Sequence, residues 1–303
     1  MTDQSERDPV VSAVLSHRRR LINVAYRLLG SLADAEDAVQ ETFIRWYALS
    51  PEDREAIVAP AAWLTTVTSR ICLDQLGSAR ARRERYVGEW IPEPVPDRTE
   101  WSGGPGEAVD PADRITLDES IDMAFLVVLD SMTPAERVTF LLHDVFRYPF
   151  AEVAEIVGRS PAACRQLAST ARRRVRDARP VTAPVARRAE VVREFKQAWE
   201  AMDIDALISV LDPAAVAVAD GGGKARAALE PRVGAQSIAE ALVGFAGAGL
   251  IELEERTVNG QPGLVARQGR RTVTVMAFDV VDDRITRIWA VRNPDKLRPW
   301  NAG

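Results

Sequence analysis

Histidine and cysteine are scarce in this 303-residue chain: two of each, His17 and His143, Cys72 and Cys164. A disulfide framework and a zinc site both need more of these residues, at closer spacing. No metal is therefore expected, and no cofactor either. No apolar run is long enough to span a bilayer and no signal peptide leads the chain, so no membrane and a reducing cytoplasm are expected. Excess positive charge is also missing: the net charge is −5. The arginines are instead clustered, at 80–85 and 165–179, and clustering matters more for nucleic acid than the sum does. The apolar fraction of 47% and charged fraction of 27% are those of a globular protein, and the length allows two or three domains with their own cores.

The stretch 133–176 is the most telling. Thr133-Pro134-Ala135-Glu136 is a helix start with a capping box, and Val138, Leu141, Leu142 and Val145 follow at helical spacing. A short helix with Val153, Ile156 and Val157 inward runs to Gly158, which permits a sharp turn. Ser160-Pro161 opens another helix carrying Arg165, Gln166, Ser169, Arg172 and Arg173. Two helices joined by a glycine turn, the second polar and basic, predict a helix-turn-helix with its second helix suited to the major groove. Arginine reads guanine and glutamine reads adenine through paired hydrogen bonds. Cys164 begins this helix, where a thiol pKa is lowered in some proteins, but a small buried residue is the simpler reading.

Upstream, the spacing predicts helices up to Gly30, over DAEDAVQETFIRWY and over AWLTTVTSRICLDQLGSARARRE, with SPEDREAIVAP as a loop between the last two. Asp34 or Ser31 caps the second helix. The polar residues Asp37, Gln40, Glu41 and Arg45 fall on its outer face. Arg70, Asp74, Gln75, Arg80, Arg82 and Arg83 fall on the outer side and tail of the third.

These helices resemble the second region of sigma-70-type factors, and 133–176 resembles the fourth. With only a linker between them, the chain resembles the extracytoplasmic-function sigma factors. That resemblance implies two all-α sigma domains, 1–87 and 114–179, with the linker 88–113 between them. It implies core RNA polymerase and promoter DNA as partners, and no separate anti-sigma factor. Asp37, Gln40, Glu41 and Arg45 would face the polymerase clamp. Arg70, Asp74, Gln75, Arg80, Arg82 and Arg83 would meet the −10 element, and Arg165, Gln166, Ser169, Arg172 and Arg173 the −35 element. The acids Glu89, Glu93, Asp97, Glu100, Glu107, Asp110 and Asp113 would let the linker follow a positively charged channel.

Within the linker, Trp90-Ile91-Pro92-Glu93-Pro94 is no bland spacer, because a Trp and an Ile call for a docking surface. It resembles the tryptophan-x-Pro-Glu-Pro element of sigma factors with a fused C-terminal domain, and is expected to pack on that domain.

After residue 185 the pattern changes class. Helices over Ala186–Met202, Ile204–Leu211 and Ala235–Gly247 accompany strands at 214–220, Ile251–Val258, Gly263–Arg267, Arg271–Val281 and Ile285–Arg292, which predicts an α+β layout with a curved antiparallel sheet. It resembles the SnoaL-like, cone-shaped domains related to polyketide cyclases and ketosteroid isomerases, spanning 186–303. Asp220-Gly221-Gly222-Gly223-Lys224 lacks the second spaced glycine and the Lys-Ser/Thr ending of a phosphate loop, so it reads as a tight backbone surface approached by another segment. This element and Asn293-Pro294-Asp295-Lys296-Leu297 resemble signatures of sigma factors bearing such an extension, which implies regulation in cis. The tail, with Trp300 exposed at its end, would join that contact. Two alternatives remain: a one-component DNA-binding regulator with a ligand domain, or a vestigial isomerase or cyclase using Asp220 or Asp279 as base. The protein is not expected to be an enzyme, and the fold's pocket leaves room for an unidentified small ligand.

Overall fold

The computed structural model describes residues 17–83, 86–96, 122–178, 183–246 and 251–301. Residues 1–16, the linker beyond Pro96 and the first residues of the expected domain 114–179 lie outside them. The described chain falls into two compact units.

The first unit holds the chain up to Arg80 and Met132–Arg172. Helix α1 (Arg18–Leu29) stops at Gly30, whose left-handed φ of 71° lets its N–H close on the Tyr26 carbonyl. Ser31, not Asp34, caps α2 (Leu32–Ala48), accepting from the Asp34 N–H. The stretch read as a loop contains a short helix, α3 (Pro51–Ala56), because Ser50 caps it and Pro51 fits its first turn. Helix α4 (Pro60–Arg83) packs on α2 through a Thr42–Thr68 hydroxyl pair at 2.9 Å and an edge-to-face Trp46–Trp63 contact. In the downstream part, Thr133 and Glu136 form the expected capping box of α6 (Pro134–Phe140), which continues into a π-helical turn at Leu141–Val145. Helix α7 (Phe150–Val157) ends at left-handed Gly158 and leads to α8 (Pro161–Ala178).

The second unit contains Tyr86–Pro96, α5 (Met123–Asp130) and the chain from Arg173 onward. Helices α9 (Val185–Glu200), α10 (Ile204–Val210) and α11 (Ala235–Ala246) lie on one face of a six-stranded sheet. The strands are β1 (Leu211–Asp220), β2 (Arg232–Val233), β3 (Glu252–Val258), β4 (Gln261–Gln268), β5 (Arg271–Val281) and β6 (Arg284–Val291), in the order β2-β1-β6-β5-β4-β3. The sheet is mixed rather than antiparallel throughout, since β1 runs parallel to β6. Between them, α11 and the β3–β5 meander supply the long return a parallel pair requires. Asn259-Gly260 makes the β3–β4 turn with φ of 53° and 71°, as a tight primed hairpin demands.

Both faces of the central strands β5 and β6 contribute to apolar clusters. Met276, Phe278 and Val280 of β5 point into the helical core, while Val275 and Ala277, one residue out of phase, join a second cluster with Trp289, Val291 and Val265. Ile91, Met123, Leu297 and Trp300 cover that second cluster. Helix α5 packs with this unit: its sequence MAFLVVLD is apolar nearly all round and Met123 seats on the sheet. One expectation about the tail changes. Trp300 is buried rather than exposed.

Candidate functional site

The recognition helix is built by burial on one side and charge on the other. Cys164, Ala168 and Ala171 of α8 face inward, leaving Arg165, Gln166, Ser169, Arg172 and Arg173 exposed on one stripe. Arg172 is paired with Asp144 at 2.5 Å, while Arg165 lies over the Phe150 ring. Cys164 is fully buried and its thiol is pushed up by that burial, against the lowering by Thr139 and Arg159. Cys164 is thus the small buried packing residue that its sequence context suggested.

On α2, Asp37, Gln40 and Arg45 are exposed, and Arg45 holds Glu41 at 2.9 Å. Two residues that pattern reading left out share this face: Ile44 and Tyr47, 54% and 47% exposed. Large apolar side chains left in solvent amid polar ones mark a contact surface. Their signal was in the sequence, since Asp37, Gln40, Ile44 and Tyr47 recur at helical spacing opposite Ala35, Val39 and Trp46. On α4, Arg70 and Asp74 are exposed and Gln75 half-buried. Arg80, Arg82 and Arg83 occupy the end of α4, where side chains lie outside the described residues.

The two helical modules of the first unit are in contact. Arg137 of α6 is buried and donates to the Leu28 carbonyl at 2.7 Å, in the last turn of α1, where helix carbonyls lack partners and the dipole is negative. Burial pulls its pKa down to about 10. Buried Arg27 lies over the Phe146 ring, and Arg70 donates to the Glu155 carbonyl.

In the second unit the Trp90–Pro94 element is docked on the sheet, with every residue from Ile91 to Val95 buried. Alternating prolines make this affordable, because they carry no N–H to satisfy and pre-set an extended chain. The remaining polar groups find side chains. Asp220 lies at the centre, its own side chain fully buried. One carboxylate oxygen accepts from the Tyr86 hydroxyl at 2.6 Å; the other accepts from the Ile91 N–H at 3.0 Å and from Lys296 Nζ at 2.6 Å. Lys296 also donates to the Ile91 carbonyl and sits 4.1 Å from the Trp90 ring. Asn293 donates to the Tyr86 oxygen, Asn259 holds Val95 by both its side chain and its N–H, and Trp300 Nε1 donates to the Pro94 carbonyl at 2.8 Å. Burial, then the bond to Asp220 and its charge, push the Tyr86 phenol well above the usual tyrosine range.

The glycine run makes this approach sterically feasible. A Cβ on Gly222, at φ 57°, would stand 2.2 Å from Asn293 Nδ2 and 2.8 Å from the Tyr86 hydroxyl. A Cβ on Gly221 would meet the Ala225 carbonyl at 2.2 Å. Outside this buried hub, exposed Lys224 pairs with exposed Asp295, whose carboxyl is held below its usual range chiefly by that lysine. Pro294 is half-buried and Leu297 buried. Glu93 is buried on the domain rather than free for a basic channel. Asp220 is committed to an ion pair, and Asp279 is a buried β5 residue outside the cavity beneath α11.

A basic recognition helix, a second helical module with a mixed polar and apolar face, and a fused α+β domain together define a sigma-70-type DNA-binding protein. Residues 13–82 match the Sigma-70 region 2 family and residues 122–175 match Sigma-70, region 4. The chain is 40% identical to the ECF RNA polymerase sigma factor SigJ of Mycobacterium tuberculosis, over 95% of this chain and 93% of that protein. It is 36% identical to the probable ECF sigma factor SigI of the same species, covering 98% of each. The crystal structure of the M. tuberculosis SigJ superposes with a TM-score of 0.72 at 36% identity, over 95% of this chain and 98% of that one. The chain belongs to the extracytoplasmic-function RNA polymerase sigma factors: it is a transcription initiation factor that acts with core RNA polymerase at promoters. Among the described residues no helix is long and apolar enough to cross a membrane.

Proposed function

We propose that the C-terminal domain regulates this sigma factor in cis by holding the linker segment Tyr86–Pro96. The observation that carries this is the burial of Ile91–Val95 around the Asp220–Lys296 pair. A linker held at one end has fewer conformations, so docking changes the separation and orientation the two promoter-reading regions can adopt. In this reading the regulator is already part of the chain, and no separate anti-sigma factor is required.

The test is initiation in vitro with core polymerase on the promoter of the protein's own gene, comparing the native chain with Ile91→Asp. The substitution places a carboxylate in an apolar cluster beside Asp220 and expels the segment. Initiation should change severalfold with core binding intact. A released linker with unaltered initiation would sink the regulatory reading.

Asp37, Gln40, Glu41 and Arg45, with Ile44 and Tyr47 as apolar anchors, form the surface proposed for core polymerase. Ile44→Asp should weaken core binding by tenfold or more without altering the helical signal, because Ile44 is 54% exposed and supports no core. Binding within twofold of the native value would remove Ile44 from the interface. Arg165, Gln166, Ser169, Arg172 and Arg173 are assigned to the −35 element, and Arg70, Asp74, Gln75, Arg80, Arg82 and Arg83 to the −10 element.

A further inference from the structure

The promoter-reading surfaces and the linker dock leave one large feature of the second unit unused. A cavity of about 760 Å³ lies between α11 and the sheet, within the ~300–1,000 Å³ usual for small-molecule sites. Its walls are apolar: Trp199, Leu242, Phe245, Met276 and Ile288. Its polar lining is biased to one charge, with Arg226, Arg232 and Arg292 but no Asp, Glu or His among the described residues.

Arg292 is the informative side chain. It is half-buried and stacked 4.4 Å from the Phe245 ring, and among the described residues its guanidinium donates to the backbone carbonyl of Arg226. No described carboxylate pairs with Arg226, Arg232 or Arg292. Burial and, after it, the like charge of Arg226 both lower the Arg292 pKa, so the environment disfavours the charge it holds. Arg226 is exposed, whereas the half-buried Arg292 guanidinium is partly desolvated and has no described carboxylate, a position that an anion would complete. Thr274, which also lines the cavity, is 3% exposed, and its hydroxyl has no hydrogen-bond partner among the described residues.

We infer that this cavity binds a small amphipathic anion, an apolar body bearing one carboxylate, with the head on Arg292 and Arg226 and the body along Phe245, Met276 and Ile288. The guanidinium fork suits a carboxylate by paired hydrogen bonds, which a neutral head cannot reproduce. The lining offers no side chain of the usual proton-transfer kind, so the site is one of binding. It adjoins the linker dock in the chain itself: Ala219 lines the cavity and Asp220 is the hub, Arg292 lines the cavity and Asn293 holds Tyr86. The Arg292 N–H also donates to the Asp220 carbonyl at 2.7 Å. The inference does not depend on the regulatory proposal, because its readout is binding alone.

The experiment uses the full chain and two probes. The fluorescent aromatic sulfonate 8-anilinonaphthalene-1-sulfonate is titrated, then displaced with decanoate or with decanol. Saturable binding is expected, with decanoate displacing at least tenfold better than decanol. Arg292→Met and Arg226→Ala should each weaken binding about tenfold while leaving the thermal unfolding transition in place. Equal displacement by decanol, or probe affinity within twofold of native in both variants, would overturn anion recognition. Absence of saturable binding by both sulfonate and decanoate would overturn the site. Should Arg292→Met fail to fold, Arg226→Ala and the decanoate–decanol comparison on the native chain decide alone.

Discussion

Asp220→Ala is expected to destabilise the docked linker by about 3–5 kcal/mol, the range for removing one partner of a buried ion pair. The reason is what remains. Lys296 is buried and loses the carboxylate to which it donates at 2.6 Å. Ile91 and Tyr86 lose their acceptor together with the charge. Amide hydrogen exchange reads this at single residues: the Ile91 and Val95 amides should lose protection in Asp220→Ala, while the amides of β5 keep most of theirs. The double variant Asp220→Ala with Lys296→Met should cost clearly less than the sum of the two single changes, because the two side chains are in direct contact and each single change already breaks their pair. Additive losses, or an Ile91 amide as protected as in the native chain, would show that the pair does not hold the segment.

Arg137→Ala should loosen the contact between the two helical modules of the first unit by on the order of 2–3 kcal/mol, typical of a hydrogen bond involving a charged group together with the packing it organises. Removing the guanidinium strips the Leu28 carbonyl of its partner from α6. It also leaves a void in a well-packed site, since Arg137 is 3% exposed. Faster amide exchange over the last turn of α1 and over α6 is the direct readout. The consequence for function follows from distance. The −10 and −35 elements stand about 25 base pairs, or roughly 85 Å of duplex, apart, whereas here the modules touch through Arg137 and Arg70. We propose that this contact opens when both elements are engaged together. Arg137→Ala should therefore raise the apparent affinity for core polymerase and promoter. Unchanged exchange and unchanged affinity would mean that the contact contributes nothing to the closed arrangement.

Much of the architecture was legible from local chemistry. Thr133-Pro134-Ala135-Glu136 announces a helix start because cap, first-turn proline and returning carboxylate act within one turn. Gly30 and Gly158 mark stops for the same local reason. The short helix at 51–56 was missed although Ser50 caps it, because none of its residues is buried and no apolar stripe betrays it. The parallel β1–β6 pairing was likewise not legible: partners more than sixty residues apart leave no periodic mark on either strand.

The sequence by itself determined the helix-turn-helix, the arginine stripe of α8, the α+β class of the last domain and the presence of an element needing a docking surface. All of these follow from spacing, capping and composition, which act over a few residues. Only the tertiary structure decided where that element goes. It is the fold that converts Asp220 from a candidate base into the buried acceptor of Tyr86, Ile91 and Lys296, and Trp300 from an exposed end into a donor to Pro94. It also assigns α5 to the sheet of the second unit. These outcomes depend on which long-range surfaces bury one another and neutralise each other's charges, a matter of three-dimensional packing that no local pattern encodes.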